Sequence, residues 1–404
     1  MCGESSLTKT VSLSPTPPGN DFLKEEELGR VEQVYPLDLY FCNDCTHVQL
    51  GHVVDPKILY QKNYTYVSST SNHFVNHLKN YSEEMINRFE LKSNMLIADI
   101  GSNDGTCLSF FKEKGMKVLG VDPATEIAHK ASLNGIETVA DFFGLSLSTN
   151  LRKNYGPARF ITSHNACAHI DNLYDIVMGV EHWLDQKGVF VLEVGYLVDV
   201  YENTWFDTIY HEHLDFHTVA PFEKLFERCN MELIEVQRIS PQGGSIRIMA
   251  QKNHGQYKRG PSVDNLIKLE QKLLLNKFET FYDFEYKINT VRSKLLELVK
   301  ALKEKGNSIA GFGAPTKATT LMNHFGINEE ILDFIVDDNT LKQGLYTPIS
   351  HIPILSAEEL YKRKPDYVLI LAWNFSKPIM EMHKKYSDEI GKFILPMPTP
   401  EIID

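Results

Sequence analysis

The densest chemistry in the chain lies at Tyr210-His211-Glu212-His213, followed at once by Leu214-Asp215-Phe216-His217. Imidazole titrates near neutrality, so it can take a proton from carbon or oxygen under mild conditions. A neighbouring carboxylate orients the ring or raises its basicity. Metal ligation is the rival use of these side chains. A zincin helix spaces its ligands as H-E-x-x-H, one turn apart, whereas His211 and His213 are two residues apart and would not share a helix face. General acid–base work is the preferred reading.

A second constellation is Asp99-Ile100-Gly101-Ser102-Asn103-Asp104-Gly105, which follows the apolar run MLIADI and opens the helix-like CLSFFKEKG. Glycines let a ligand approach the backbone, and a helix N-terminus adds N–H donors. A dinucleotide loop, G-x-G-x-x-G, would welcome a pyrophosphate. Here the Asp104 carboxylate opposes one and suits a cationic or neutral ligand such as S-adenosylmethionine, which carries a sulfonium and an ammonium but no phosphate. Asp122 ends the next strand, MKVLGVD, where a carboxylate accepts hydrogen bonds from both ribose hydroxyls. Asp141 closes a third strand, GIETVAD, and is expected to meet the adenine edge.

Cys42-Asn-Asp-Cys45 is the third feature, with Cys2 upstream. Zinc takes four ligands in a tetrahedron, usually as two pairs. Three thiols leave one place open, for which Asp44, His47 and His52 are candidates. A redox pair is the alternative, but the segment is not a β-to-α turn, and structural zinc is preferred. Cys107, Cys167 and Cys229 stand singly in apolar company and read as buried small hydrophobes. The fourth feature, Gly311-Phe-Gly313-Ala-Pro-Thr-Lys317, again joins a strand to a helix and brings Lys317 within reach of an anion. It lacks the Walker A spacing, and a tight packing turn is its plainer explanation.

The elements that must position these groups alternate. From Met95 onward strands and helices follow one another as MLIADI, CLSFFKEKG, MKVLGVD, EIAHKASLNG, GIETVAD, ARFITSHNA and GVFVLEV, which predicts a parallel, doubly wound sheet. Apolar positions at helical spacing over 263–304 predict one or two long amphipathic helices ended by Gly306. A second β-turn-α unit begins at Asn307. Residues 1–60 form a small module, short on helical periodicity, that is expected to need a metal staple. Residues 61–260 form the middle domain, and 261–404 the linker helix and a C-terminal α/β domain.

Composition narrows the function further. The 404 residues carry 41 basic and 53 acidic side chains, a net charge of 41 − 53 = −12, which argues against a nucleic-acid partner. No apolar run approaches the ~20 residues of a membrane span, and the N-terminus shows no signal-peptide core. Six cysteines without a secretion signal do not make a disulfide framework. The expectation is a soluble, cytoplasmic protein with no membrane partner.

With its motifs taken in order, the chain resembles the nucleotide-sugar C-methyltransferases that alkylate 4-keto-6-deoxy sugars. The resemblance spans PPGNDF, FCNDCTHVQL, YTYVSSTSNHF, DIGSNDG, HNACAHI, EVGYL, FDTIYHEH, GGSIR, GFGAPTKATTLMNHFGI, KQGLYTP and PDYVLILAWN. It implies a Rossmann-like S-adenosylmethionine methyltransferase domain, flanked by an N-terminal zinc module and a C-terminal Rossmann-like domain that closes over the sugar nucleotide. It further implies His213 as general base, with Tyr210 and Glu212 supporting it. Tyr64 and His169 would be auxiliary active-site groups, and Asn165 would line the cofactor pocket. Lys317 and the backbone at Gly313 would hold the nucleotide end of a dTDP-linked substrate. The expected assembly is a monomer or weak homo-oligomer.

Three departures stand out. The first zinc cysteine of the pattern has no counterpart. Ala166 and Cys167 replace larger apolar residues, and Leu345 stands where an arginine is frequent. The chemistry agrees with the resemblance, because carbon becomes a nucleophile only when a base removes a proton beside a carbonyl and a donor meets the developing enolate oxygen. An O-methyltransferase, an NAD-dependent sugar dehydrogenase and a zinc-ribbon nucleic-acid binder are the competing functions.

Overall fold

LIADI is buried at every position, as a strand covered on both faces requires. In the computed structural model, which describes residues 1–60 and 67–403, this strand (Leu96–Ile100) lies inside a seven-stranded sheet. The order is Met231–Ile239, Ser245–Lys252, Leu184–Gly195, Ala158–His164, Leu96–Ile100, Lys117–Val121 and Thr138–Val139. The last five are parallel, while Ser245–Lys252 runs antiparallel to both of its neighbours. The glycine loop, Asp122 and Asn165 thus all lie at the C-terminal ends of parallel strands, where an open α/β sheet binds ligands.

The N-terminal module is an antiparallel sheet of Leu7–Thr16, Tyr35–Cys42 and Val48–Leu50, completed by Asp215–Phe216 from the middle of the chain. Leu37, Leu39 and Phe41 alternate inward along the second strand and are all but fully buried. With Val11 and Leu13 they join the same apolar core as the methyltransferase sheet. The module does not stand alone: it borrows a strand and shares a core.

Two helices, Pro261–Lys272 and Glu279–Glu304, connect to the C-terminal domain. The longer one buries Phe281, Phe284, Ile288, Val291, Leu295, Val299 and Leu302, a stripe at helical spacing. It also touches the N-terminal sheet, with Phe281 against Phe41 at 5.8 Å and Glu285 accepting from the Ser12 N–H at 2.8 Å. The C-terminal sheet has the order Ile354–Leu355, Ile335–Val336, Ile309–Phe312, Tyr367–Ile370, Lys392–Leu395 and Glu401–Ile403, with only the last antiparallel.

The α/β class and its Rossmann-like middle domain agree with the sequence reading. Cys107, Cys167 and Cys229 are buried and free. No described helix is long and apolar enough to cross a membrane.

Candidate active site

The Tyr210–His213 segment sits between the single turn Phe206–Thr208 and the strand Asp215–Phe216. His213 faces inward with Nδ1 2.8 Å from the Thr208 carbonyl and Nε2 2.9 Å from the Tyr210 hydroxyl. A carbonyl only accepts, so Nδ1 carries the hydrogen and Nε2 offers a lone pair to the phenol. The His169 ring lies 5.0 Å from His213 and bonds the Glu212 carbonyl through Nδ1 at 2.6 Å. Burial, helped by the charge of His169, pushes His213 down to about 3; burial pushes His169 down to about 4. Both rings are neutral near pH 7. Glu212 moves the other way, to about 7, because burial penalises its charge more than its bond from Asn20 favours it. His211 is set apart from this group. It is buried, and its Nε2 bonds the Thr16 carbonyl at 3.0 Å, so it ties the N-terminal sheet to the site. Tyr64, the remaining group the resemblance implies here, lies outside the described residues.

The glycine loop is closely packed. Gly101 has φ +75°, and a Cβ there would stand 2.6 Å from the Ala166 Cβ, so backbone and neighbour leave space only for glycine. Asp122 accepts from the Asn103 N–H at 2.8 Å and the Ala124 N–H at 2.9 Å, and each oxygen keeps a lone pair for a ligand. Asp99 is buried, and among the described residues one of its oxygens has no partner. Burial and the nearby Asp122 raise it well above the usual carboxyl range. A tight glycine turn and a strand-end carboxylate suit a cationic nucleoside ligand. Asp99, Gly101, Asn103 and Gly105 lie on or beside the loop after Leu96–Ile100, with Asp122 and Asn165 just beyond the two strands that flank it.

Asp104 has a second duty. It accepts from Thr106 N–H and Oγ1 at the start of helix Thr106–Glu113, and from the Ser69 N–H at 3.1 Å. Asn103 Oδ1 likewise accepts from the Ser68 N–H at 2.9 Å, which pins the SSTS segment over the loop. Asn165, at φ +58°, donates its N–H to the Glu193 carbonyl. Asp141 does not end a strand: Thr138–Val139 stops earlier, and Asp141 is exposed with a carboxylate oxygen bonding the Phe142 N–H.

A charge cluster around the buried Glu193 and Arg247, on paired strands of the large sheet, was missed from sequence. Glu193 accepts from His77 at 2.6 Å and from Arg247 Nε at 2.7 Å, and Arg247 also reaches Glu84 at 2.6 Å. Burial alone would raise Glu193, but His77, His164 and Arg247 outweigh it and hold the carboxyl at about 2. The residues lie in or beside the motifs, Glu193 opening EVGYL, Arg247 closing GGSIR and His77 following SSTSNHF, but their spacing does not pair them.

At the metal candidate, Cys2, Cys42 and Cys45 bring their sulfurs within 4.8 Å of one another, with Cys2 and Cys42 at 3.5 Å. Three converging thiols fit three corners of a zinc tetrahedron. Among the described residues no fourth His, Cys, Asp or Glu joins them. His47 is turned away to Asp215 at 2.6 Å, and His52 stacks on Tyr35 at 5.4 Å.

The C-terminal domain meets the site through the helix Thr316–Phe325. Lys317 Nζ lies 3.9 Å above the Trp373 ring, whose Nε1 donates to buried Asp207 at 2.6 Å. Burial lowers Lys317, opposed by Asp207. Gly313, at φ +86°, packs against Ala372 with no space for a side chain.

Two clefts flank the Gly19-Asn20-Asp21 loop. One of about 260 Å³ is lined by Pro18, Gln33, Tyr35 and Glu212. The other, about 300 Å³, is lined by Lys24, Arg30, Lys342 and Leu345. Asn20 and Asp21 line both.

The strand order, the glycine loop and the strand-end Asp122 define an S-adenosylmethionine-dependent methyltransferase. Residues 1–60 match the family described as "Putative zinc binding domain", 72–236 a "Methyltransferase domain", and 240–398 a "C-methyltransferase C-terminal domain". The chain belongs to the C-methyltransferase family. It is 32% identical over 403 residues to C-methyltransferase NovU of Streptomyces niveus, covering 100% of this chain and 96% of the relative. Among solved structures, an S-adenosylmethionine-dependent methyltransferase from Clostridium acetobutylicum is 14% identical at TM-score 0.36, covering 44% of this chain and 92% of that one. The magnesium protoporphyrin IX methyltransferase of Synechocystis is 12% identical at TM-score 0.35, covering 44% and 83%.

Proposed function

We propose that the protein methylates C3 of a nucleotide-linked 4-keto-6-deoxy sugar, next to the ketone. The observation that carries this reading is the Tyr210–His213 pair, a bare imidazole nitrogen and a phenolic donor 2.9 Å apart. A ketone oxygen entering the site takes the Tyr210 hydrogen bond and uncovers the Nε2 lone pair. Nε2 then removes the proton on the adjacent carbon, while Tyr210 stabilises the enolate oxygen. S-adenosylmethionine, when bound, supplies an electrophilic methyl group to that carbon. In the larger cleft Arg30 pairs with Asp21 and Glu27, and Lys24 and Lys342 remain as the cations that support a diphosphate-bearing substrate; NovU is itself described as a C-methyltransferase.

Glu212 provides a second reading of the base, because a carboxylate pushed up to about 7 is better matched to proton abstraction than an imidazole held near 3.

The test is incubation with S-adenosylmethionine and dTDP-, GDP- and CDP-linked 4-keto-6-deoxy sugars, with mass spectrometry of the product. A gain of one methylene with loss of a deuterium placed at C3 is the expected result. A gain with the C3 deuterium retained overturns methylation at C3, and a second label at C5, the other carbon beside the ketone, separates C5-methylation from O-methylation.

A further inference from the structure

Glu212 is buried at 9% exposure, on a segment of the middle domain, yet the side chain that bonds it comes from the N-terminal module. Asn20 Nδ2 donates to Glu212 Oε1 at 3.1 Å. The other end of the same amide is also engaged, since Thr316 Oγ1 donates to Asn20 Oδ1 at 2.9 Å. Thr316 is the first residue of the helix Thr316–Phe325 in the C-terminal domain. One amide therefore joins all three parts of the chain.

The loop that carries Asn20 is firmly seated. Thr319 Oγ1 donates to the Gly19 carbonyl at 3.0 Å, and Asn323 Nδ2 donates to the Pro15 carbonyl at 2.6 Å. A Cβ at Gly19 would lie 2.6 Å from the Thr316 carbonyl oxygen, so the loop backbone rests directly on the helix. The same helix holds the active-site segment, because Thr320 Oγ1 donates to the Ile209 carbonyl at 3.0 Å. The asymmetry of an amide makes its orientation consequential. With its carbonyl claimed by a hydroxyl, Asn20 presents N–H to the carboxylate; flipped, it would set oxygen against oxygen.

We infer that Asn20 is a positioning residue of the active site, which keeps Glu212 an acceptor carboxylate while Thr316 fixes the direction of its amide. This rests on the reading of Glu212 as an active-site group. The N-terminal module then does more than carry zinc: it supplies one wall of the site and the partition between the two clefts. Docking of the C-terminal helix is coupled to the charge state of Glu212 through a single side chain. Among the described residues, the other titratable groups around Glu212 are Asp21, which is paired with Arg30 at 2.6 Å, Tyr35 across the smaller cleft, His211 and His213 on its own segment, and His169 on its carbonyl.

The decisive experiment tracks the Glu212 carboxyl by NMR in full-length, zinc-loaded protein with carboxyl-labelled glutamate. The resonance is assigned by its absence from Glu212→Gln. In Asn20→Ala and in Thr316→Val the titration midpoint rises by about one pH unit, the scale of one lost hydrogen bond to a charged group. Thr316→Ser keeps the hydroxyl and retains the original midpoint. Zinc content and S-adenosylhomocysteine affinity stay unchanged in all three variants. A midpoint unmoved in both Asn20→Ala and Thr316→Val overturns the inference. The readout needs no turnover, so a protein that methylates none of the sugar nucleotides would defeat the proposed function and leave this result to be judged separately. If turnover is found, the same two variants lower kcat while leaving KM for S-adenosylmethionine unaltered.

Discussion

Tyr210 donates its phenolic hydrogen to Nε2 of His213 across 2.9 Å, and Nε2 is bare because Nδ1 gives its hydrogen to the Thr208 carbonyl. Each partner is thereby assigned before substrate arrives. His213→Asn keeps a polar group but removes the basic nitrogen, so methyl transfer should fall by roughly 10²–10⁴-fold. S-adenosylmethionine affinity, measured by calorimetry, should be unchanged. Full turnover in this variant would remove His213 from the base role and leave it to Glu212.

The two candidate bases predict different pH profiles. His213, held near 3, stays neutral across the working range, so it contributes no limb near neutrality. Glu212, raised to about 7, gains a proton as pH falls through that value. If its charge is needed, kcat/KM declines below about pH 7, and Glu212→Gln is slow at every pH and loses that limb. A profile flat from pH 5.5 to 8 would show that the charge of Glu212 is not needed and would remove it from the base role.

The fold was legible wherever local pattern and burial coincide. LIADI reads as a buried strand because it is one, KVLGV is buried over its last three residues, and the 263–304 stripe reads as helix because one face packs on the core. The strand before Asp141 ends two residues earlier than its pattern suggests, because only Thr138 and Val139 pair with the neighbouring strand. The Glu193–Arg247 pair was not legible for another reason. Strand pairing sets Arg247 opposite Glu193 across 54 positions of sequence, and no local spacing encodes that register. Asn20 was in view within PPGNDF, but its contact with Glu212 is made by domain packing alone.

That buried pair makes a stability prediction. Arg247→Ala leaves Glu193 charged and with fewer partners in a buried place, so unfolding free energy should fall by about 3 kcal/mol at neutral pH. The folded-state value of Glu193, about 2, is below its ordinary 4.5. Its contribution is therefore complete above about pH 4.5 and is lost as pH falls toward 2. Urea unfolding at pH 7 and pH 3 checks both the size and the sign: the gap between wild type and variant should narrow in acid.

Removing the metal should have a limited effect on the fold. The three thiols lie at one end of the N-terminal sheet, whereas Val11, Leu13, Leu37 and Leu39 anchor it in the common core. Cys42→Ser should abolish stoichiometric zinc, measured by a colorimetric chelator, and lower the melting temperature by several degrees. Far-ultraviolet circular dichroism should remain close to that of wild type. Loss of the strand signal would mean that the shared core cannot hold the sheet without its staple.

The glycine loop permits the sharpest separation of binding from folding. Gly101→Ala places a methyl group 2.6 Å from the Ala166 Cβ and forces a left-handed φ on alanine, so the loop must shift. That shift pulls on Asn103, whose N–H is held by Asp122 at 2.8 Å, and disturbs the strand-end carboxylate with it. Asp122→Ala removes the carboxylate but leaves the loop glycine intact. Each variant should weaken S-adenosylhomocysteine binding by roughly 10–100-fold, the value of one or two charge-assisted hydrogen bonds. Because both disable the same carboxylate, the double variant should bind little worse than either single one. Additive losses would show instead that the glycine turn and Asp122 grip separate parts of the ligand.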